Sequence, residues 1–136
     1  MKKNIFCLCM ICCIVLLTTN VDAGSYIGRF MWHTNVPVGL NNNVYKTANK
    51  LILEIAALRD TFAANGLMEI NGGGIITCSG TIVQVDDPTF TYVGDLNCGT
   101  INARISVYDN LNGFISVSDS FGLLGESNIN IDIVEI

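Results

Sequence analysis

From Gly74 to the C-terminus apolar and polar positions alternate with a period of two, which predicts strands at 75–85, 89–93, 100–108, 114–121 and 128–135. Ile101, Ala103, Ile105 and Val107 alternate with Asn102, Arg104, Ser106 and Tyr108. Near the end Ile129, Ile131 and Ile133 alternate with Asn128, Asn130 and Asp132, so each strand has one dry and one wet face. The separators Asp86-Asp87-Pro88 and Asp109-Asn110-Leu111-Asn112-Gly113 place Asx side chains, Pro and Gly where a reversal needs them, and their short spacing favours antiparallel neighbours.

The first half of the chain has a different rhythm. Residues 24–33 alternate loosely, with Tyr26, Phe30 and Trp32 on one side, as a short strand does. Pro37 and Gly39 predict a turn, and Asn41-Asn42-Asn43 offers helix N-caps whose side-chain oxygens accept an unpaired backbone N–H. Val44, Ala48, Leu51, Ile55, Leu58 and Phe62 then recur at spacings of four and three, predicting an amphipathic helix that Asn65-Gly66 would terminate. Gly72-Gly73-Gly74 reads as a connector. A striped helix and a one-sided sheet bury each other's apolar surfaces, so the expected class is α+β: one helix packed on a four- to five-stranded antiparallel meander, with one disulfide.

Composition changes this picture at the N-terminus. The mean hydropathy of +0.46 is carried mostly by the first two dozen residues. Lys2 and Lys3, the apolar run Ile5–Leu17 and the small residues Val21 and Ala23 form the pattern of a secretory signal peptide spanning 1–23, leaving a single domain at 24–136 that is secreted or periplasmic. The apolar run has thirteen residues, short of the ~20 needed to span a bilayer as a helix, so no transmembrane segment is expected in the mature chain. Cys7, Cys9, Cys12 and Cys13 lie inside that run rather than after it, which disfavours a lipid anchor. Cys78 and Cys98 remain, and an even pair in an exported chain predicts a bridge worth about 3 kcal/mol by loop entropy.

Charge and residue types exclude several chemistries. The mature chain has five basic against eleven acidic side chains, a net charge of −6, which is unsuited to a phosphate backbone. One histidine, His33, and two cysteines expected to be bridged fall short of a zinc site, and no cofactor motif is present: the triple glycine lacks the Lys-Ser/Thr of a phosphate loop. The Asp109–Gly113 turn is rich in oxygen ligands but lacks the alternation of a calcium loop. Candidate binding residues are therefore Trp32, His33, Asp86, Asp87, Asp109 and Asn110.

The element order resembles pilin head domains and, with a strand before the helix, the cystatin-like arrangement. Gln84-Val85-Asp86-Asp87-Pro88 does not match the Q-x-V-x-G hairpin of the latter, so no site residue carries over. The expected role is non-enzymatic: binding a protein partner, or self-assembly, through the surface of the sheet or the edge of its last strand. Two alternatives are a small hydrolase using a carboxylate pair or His33, and an enzyme inhibitor acting through the turn at 86–88 or 109–113.

Overall fold

The computed structural model describes residues 25–41 and 44–135. The expected leader at 1–23, with its four cysteines, and the N-caps Asn42 and Asn43 lie outside the described residues. Eight strands follow one another: β1 (Ser25–Asn41), β2 (Val44–Leu58), β3 (Thr61–Ile70), β4 (Ile75–Gln84), β5 (Tyr92–Cys98), β6 (Ile101–Val107), β7 (Gly113–Asp119) and β8 (Gly122–Glu135). Each pairs antiparallel with the next, and β8 returns to pair with β1, closing an up-and-down barrel.

The expected α+β class is thus corrected: the described residues contain no helix, and the sheet closes on itself rather than packing on a second layer. The segment read as a helix is β2 and the start of β3. Its true alternation is inward Leu51, Leu53 and Ile55 against outward Ile52 and Glu54. A register shift between Ala48 and Lys50 breaks the phase, so that inward Ala48 and Leu51 stand three apart and imitate a helical stripe. The reversal falls at Arg59-Asp60, with Arg59 at φ 37°. Asn65-Gly66, the expected helix stop, sits in mid-strand, where a Cβ on Gly66 would run into the carbonyl of Ile52 on β2. Without a helix, neither the pilin-head nor the cystatin-like arrangement applies.

Other boundaries moved for identifiable reasons. β1 runs through Pro37 and Gly39 by means of register shifts at His33/Val36 and Pro37/Gly39. The strand expected at 89–93 begins only at Tyr92, because Asp87 holds Thr89 and Phe90 in a turn, and it runs on to Cys98, because Gly94 and Asn97, which look like turn residues in the sequence, are strand positions. β8 pairs with β7 through Ile129 and then with β1 from Asn130 onward, so it closes the barrel with each of its halves laddered on one side.

Inward residues fill most of the barrel. Leu51, Leu53, Met68, Leu96, Ile105, Ile115, Ile129, Val36 and Val117 are buried to less than 2% exposure. Eight strands enclose a space just wide enough for side chains or one small ligand, so the packing of each level decides whether a cavity remains. The meander sorts the connections. Turns 71–74, 99–100 and 120–121 lie at one end, here called the floor; the reversal at 59–60 and the longer connections 85–91 and 108–112 lie at the other, the mouth.

The expected disulfide is present. Cys78 on β4 and Cys98 on β5 stand opposite each other, Cα to Cα 4.2 Å, both buried inside the floor half of the barrel.

Candidate functional site

A cavity of about 130 Å³ opens in the mouth. Each of the first six strands contributes to it: Ile27, Phe30 and Trp32 from β1, Ile55 from β2, Phe62 from β3, Ile82 from β4, Tyr92 from β5 and Val107 from β6, with Leu111 from the following connection. They converge because, in an up-and-down meander, the start of every odd strand and the end of every even strand meet at the same end. Period-two alternation then aims Phe30 and Trp32, two apart on β1, at the same interior. Their rings stack with centroids 5.8 Å apart, and Phe62 meets Tyr92 edge-to-face, also at 5.8 Å.

The 108–112 connection is fastened across this mouth. The Trp32 indole Nε1–H donates to the Leu111 carbonyl at 2.7 Å, which satisfies the one polar atom a buried tryptophan carries. The Leu111 N–H donates to the Tyr108 carbonyl at 3.0 Å, and the Tyr108 N–H to the Asn112 carbonyl at 2.7 Å. Asn110 Oδ1 accepts from the Asn112 N–H at 3.1 Å, and Asn112 Oδ1 accepts from the Ile131 N–H at 2.8 Å, extending the β8 ladder beyond β7. The side-chain oxygens of this turn therefore hold backbone. They also keep Leu111 at φ 71°, a left-handed conformation that disfavours a side chain.

The second long connection packs on the outside of the same end. Phe90 stacks on Tyr108 at 5.5 Å and meets Phe114 edge-on at 5.4 Å. Asp87 Oδ1 accepts from the N–H groups of Thr89 and Phe90, at 2.7 and 3.2 Å, and so shapes this turn.

Of the residues singled out in the sequence, Trp32 lies in the cavity wall. His33, the next residue, points outward and sits 3.2 Å from Asp132. Asp86, Asp87, Asp109 and Asn110 are exposed on the two mouth connections. Asp95 is on the outer wall, bidentate to Arg104 at 3.0 and 3.1 Å, and Asp119 caps the 120–121 turn at the floor. The acids thus lie on turn tips and the outer wall, and of them Asp60 and Asp86 share one hollow at the mouth end with Arg59 and Gln84. Among the described residues no group of three or more His, Cys, Asp or Glu is placed to hold a metal.

Sequence reasoning missed Phe62, Tyr92, Ile82, Val107 and Leu111 as site residues. Their shared signal is an apolar or aromatic residue at a strand terminus, which becomes a site only once the strand order is known.

The outer wall divides in two. Over β4–β7 it is a shallow hollow of about 820 Å³ whose lining mixes Ser79, Thr81, Asn102 and Ser116 with Val83, Val93 and Leu123. Over β8, β1, β2 and β3 the register instead aligns Ile133, Met31, Ile52 and Leu67 in one outward row. At the floor, Phe121 stands 97% exposed on a turn whose N–H groups at 121 and 122 are both held by Asp119 Oδ1. No helix among the described residues is long and apolar enough to cross a membrane. Comparison with protein-family models, with curated proteins and with solved structures returned no match.

Proposed function

We propose that this chain is a binding protein that takes one small, uncharged, apolar molecule into the mouth of its barrel. The observation that carries the reading is the cavity: about 130 Å³ of space walled by aliphatic and aromatic side chains, with its one indole N–H already spent on Leu111. Barrel mouths are a common place for ligand pockets. Apolar space of this kind stays dry, and an engineered cavity of ~150 Å³ accepts benzene, which sets the scale of the occupant at a single ring or a short hydrocarbon. Selection would be by shape and apolarity, since a charged ligand would lose its hydration with nothing to replace it.

The hydrolase alternative would draw on Asp60 and Asp86, which share a hollow at the mouth end, or on His33, which stands beside Asp132 on the outer wall; none of these lines the apolar cavity. The inhibitor alternative has its two turns at the mouth end, but both are fastened to the barrel, one inward through Leu111 and one onto the outer wall through Phe90.

The test is calorimetry and Trp32 fluorescence with a graded series of single-ring hydrocarbons. A ligand at a hundred times its Kd should stabilise the fold by about 2.7 kcal/mol. Val107→Phe, which fills the cavity, should abolish that shift while leaving the unliganded melting temperature equal or higher. A wild-type protein whose melting curve and fluorescence ignore the whole series sinks the reading.

A further inference from the structure

The rings around the mouth cavity follow the strand order. All of them come from odd-numbered strands, Phe30 and Trp32 from β1, Phe62 from β3 and Tyr92 from β5, while the even-numbered strands supply branched aliphatic residues only. In the closed order β5 is four strands from β1 in either direction, so the Phe30–Trp32 pair and Tyr92 stand on opposite walls. Phe62, from the strand midway between them, meets Tyr92 with an interplanar angle of 81°, whereas Phe30 and Trp32 lie within 19° of parallel. One wall therefore presents a stacked pair and the wall across from it a crossed pair, and both line the same space. Four of the nine lining side chains are aromatic in a chain where aromatics make up 8%. Enclosing apolar space does not require that excess, since aliphatic side chains do the same at the floor. Rings add direction: each has a negative face and a positive edge, and so favours another ring, offset or edge-on, beyond the area it buries.

We propose that the mouth selects a flat aromatic ring over a saturated hydrocarbon of the same size, with the Phe30–Trp32 and Phe62–Tyr92 pairs as its specificity determinants; the inference rests on the reading of the cavity as a site for one small apolar molecule. A saturated molecule is held there by burial alone. A planar ring between the two walls adds a ring–ring contact on each side, and two such contacts together amount to about tenfold or more in affinity. Trp32 takes part through its ring, because its indole N–H is held by the Leu111 carbonyl.

Benzene and cyclopentane, which are closely matched in bulk, are the probes. Each is titrated calorimetrically into the full chain, and each affinity is referred to that compound's own transfer from water to alkane, which removes the difference in hydrophobicity. Benzene should then be favoured about tenfold. Phe30→Leu and Phe62→Leu keep apolar bulk but take a ring from one wall or the other, and each should cut the preference by about threefold or more. Phe90→Leu, which removes a ring outside the barrel at the same end, should leave the preference as in the wild type. Circular dichroism checks that each variant is folded. Equal referred affinities for the two probes overturn the selectivity and leave the apolar cavity standing, whereas binding of neither probe overturns both. A preference that survives Phe30→Leu and Phe62→Leu in folded protein, or that Phe90→Leu reduces as much as they do, also overturns the proposal.

Discussion

The two ends of the barrel interior are built from the same alternation but from different residues. The floor is aliphatic and sulfur-bridged: Val36, Met68, Leu96, Ile101, Val117 and the Cys78–Cys98 pair interlock to near-complete burial. The mouth is aromatic: Phe30, Trp32, Phe62 and Tyr92 meet there around open space. Branched aliphatic chains interdigitate to crystal-like density, whereas flat rings at strand termini meet by edges and stacks and leave gaps. The floor therefore bears stability and the mouth is free to bear recognition.

This division can be broken or sharpened by substitution. Leu96→Ala at the floor should have the largest effect, about 2–5 kcal/mol and a fall of roughly 10 °C or more in melting temperature, because a sealed interior cannot collapse onto the cavity. Calorimetric melting checks the loss, and hydrocarbon affinity under native conditions should stay within a factor of two or so, given the distance between levels. Replacing Cys78 and Cys98 together by Ala should cost about 2–4 kcal/mol in denaturant titration, again with the mouth still competent. At the mouth, Trp32→Phe removes the indole donor to the Leu111 carbonyl and should cost only about 1 kcal/mol, seen as faster amide exchange at Leu111 and Asn112. The smallest change in stability is expected for Leu111→Gly. Truncation loses burial, the φ of 71° becomes unstrained, and the net should stay within about 1 kcal/mol while the mouth admits bulkier hydrocarbons. A floor variant that loses ligand binding at full foldedness, or a Leu111→Gly protein with unchanged ligand selectivity, would erase the distinction between the ends.

Much of the β architecture was legible. The alternation at 100–108, the turn chemistry at 109–113 and the pairing of the two cysteines follow from local rules and stand where those rules put them. The last strand begins earlier than its alternation indicates, at Gly122, and the register shift opposite Met31/Trp32 turns Ile133 outward while Ile129 stays buried. The helix was misread because the shift beside Lys50 offsets the inward phase by one residue, and because Leu51 to Leu58 is rich in strong helix formers. Nothing local records that β1 and β3 flank this segment and demand a strand. That single error hid closure, and with it the mouth. Trp32 drew notice as an aromatic, whereas Phe62 and Tyr92 were unremarkable until the strand order brought them opposite each other.

Pairing across the β1–β8 seam spans only Arg29–His33 against Asn130–Glu135, yet it joins the two extremes of the described chain. Each of the other seven ladders links neighbours in the chain across a hairpin. Loop-closure entropy therefore falls almost wholly on one short stitch, which makes the final zipping of the cylinder the slow event on the folding path. Because Ser25 and Glu135 finish at the same rim, a circular permutant that tethers them and is cut at Gly99-Thr100 would turn that stitch into a local hairpin and leave the cylinder's wall unchanged.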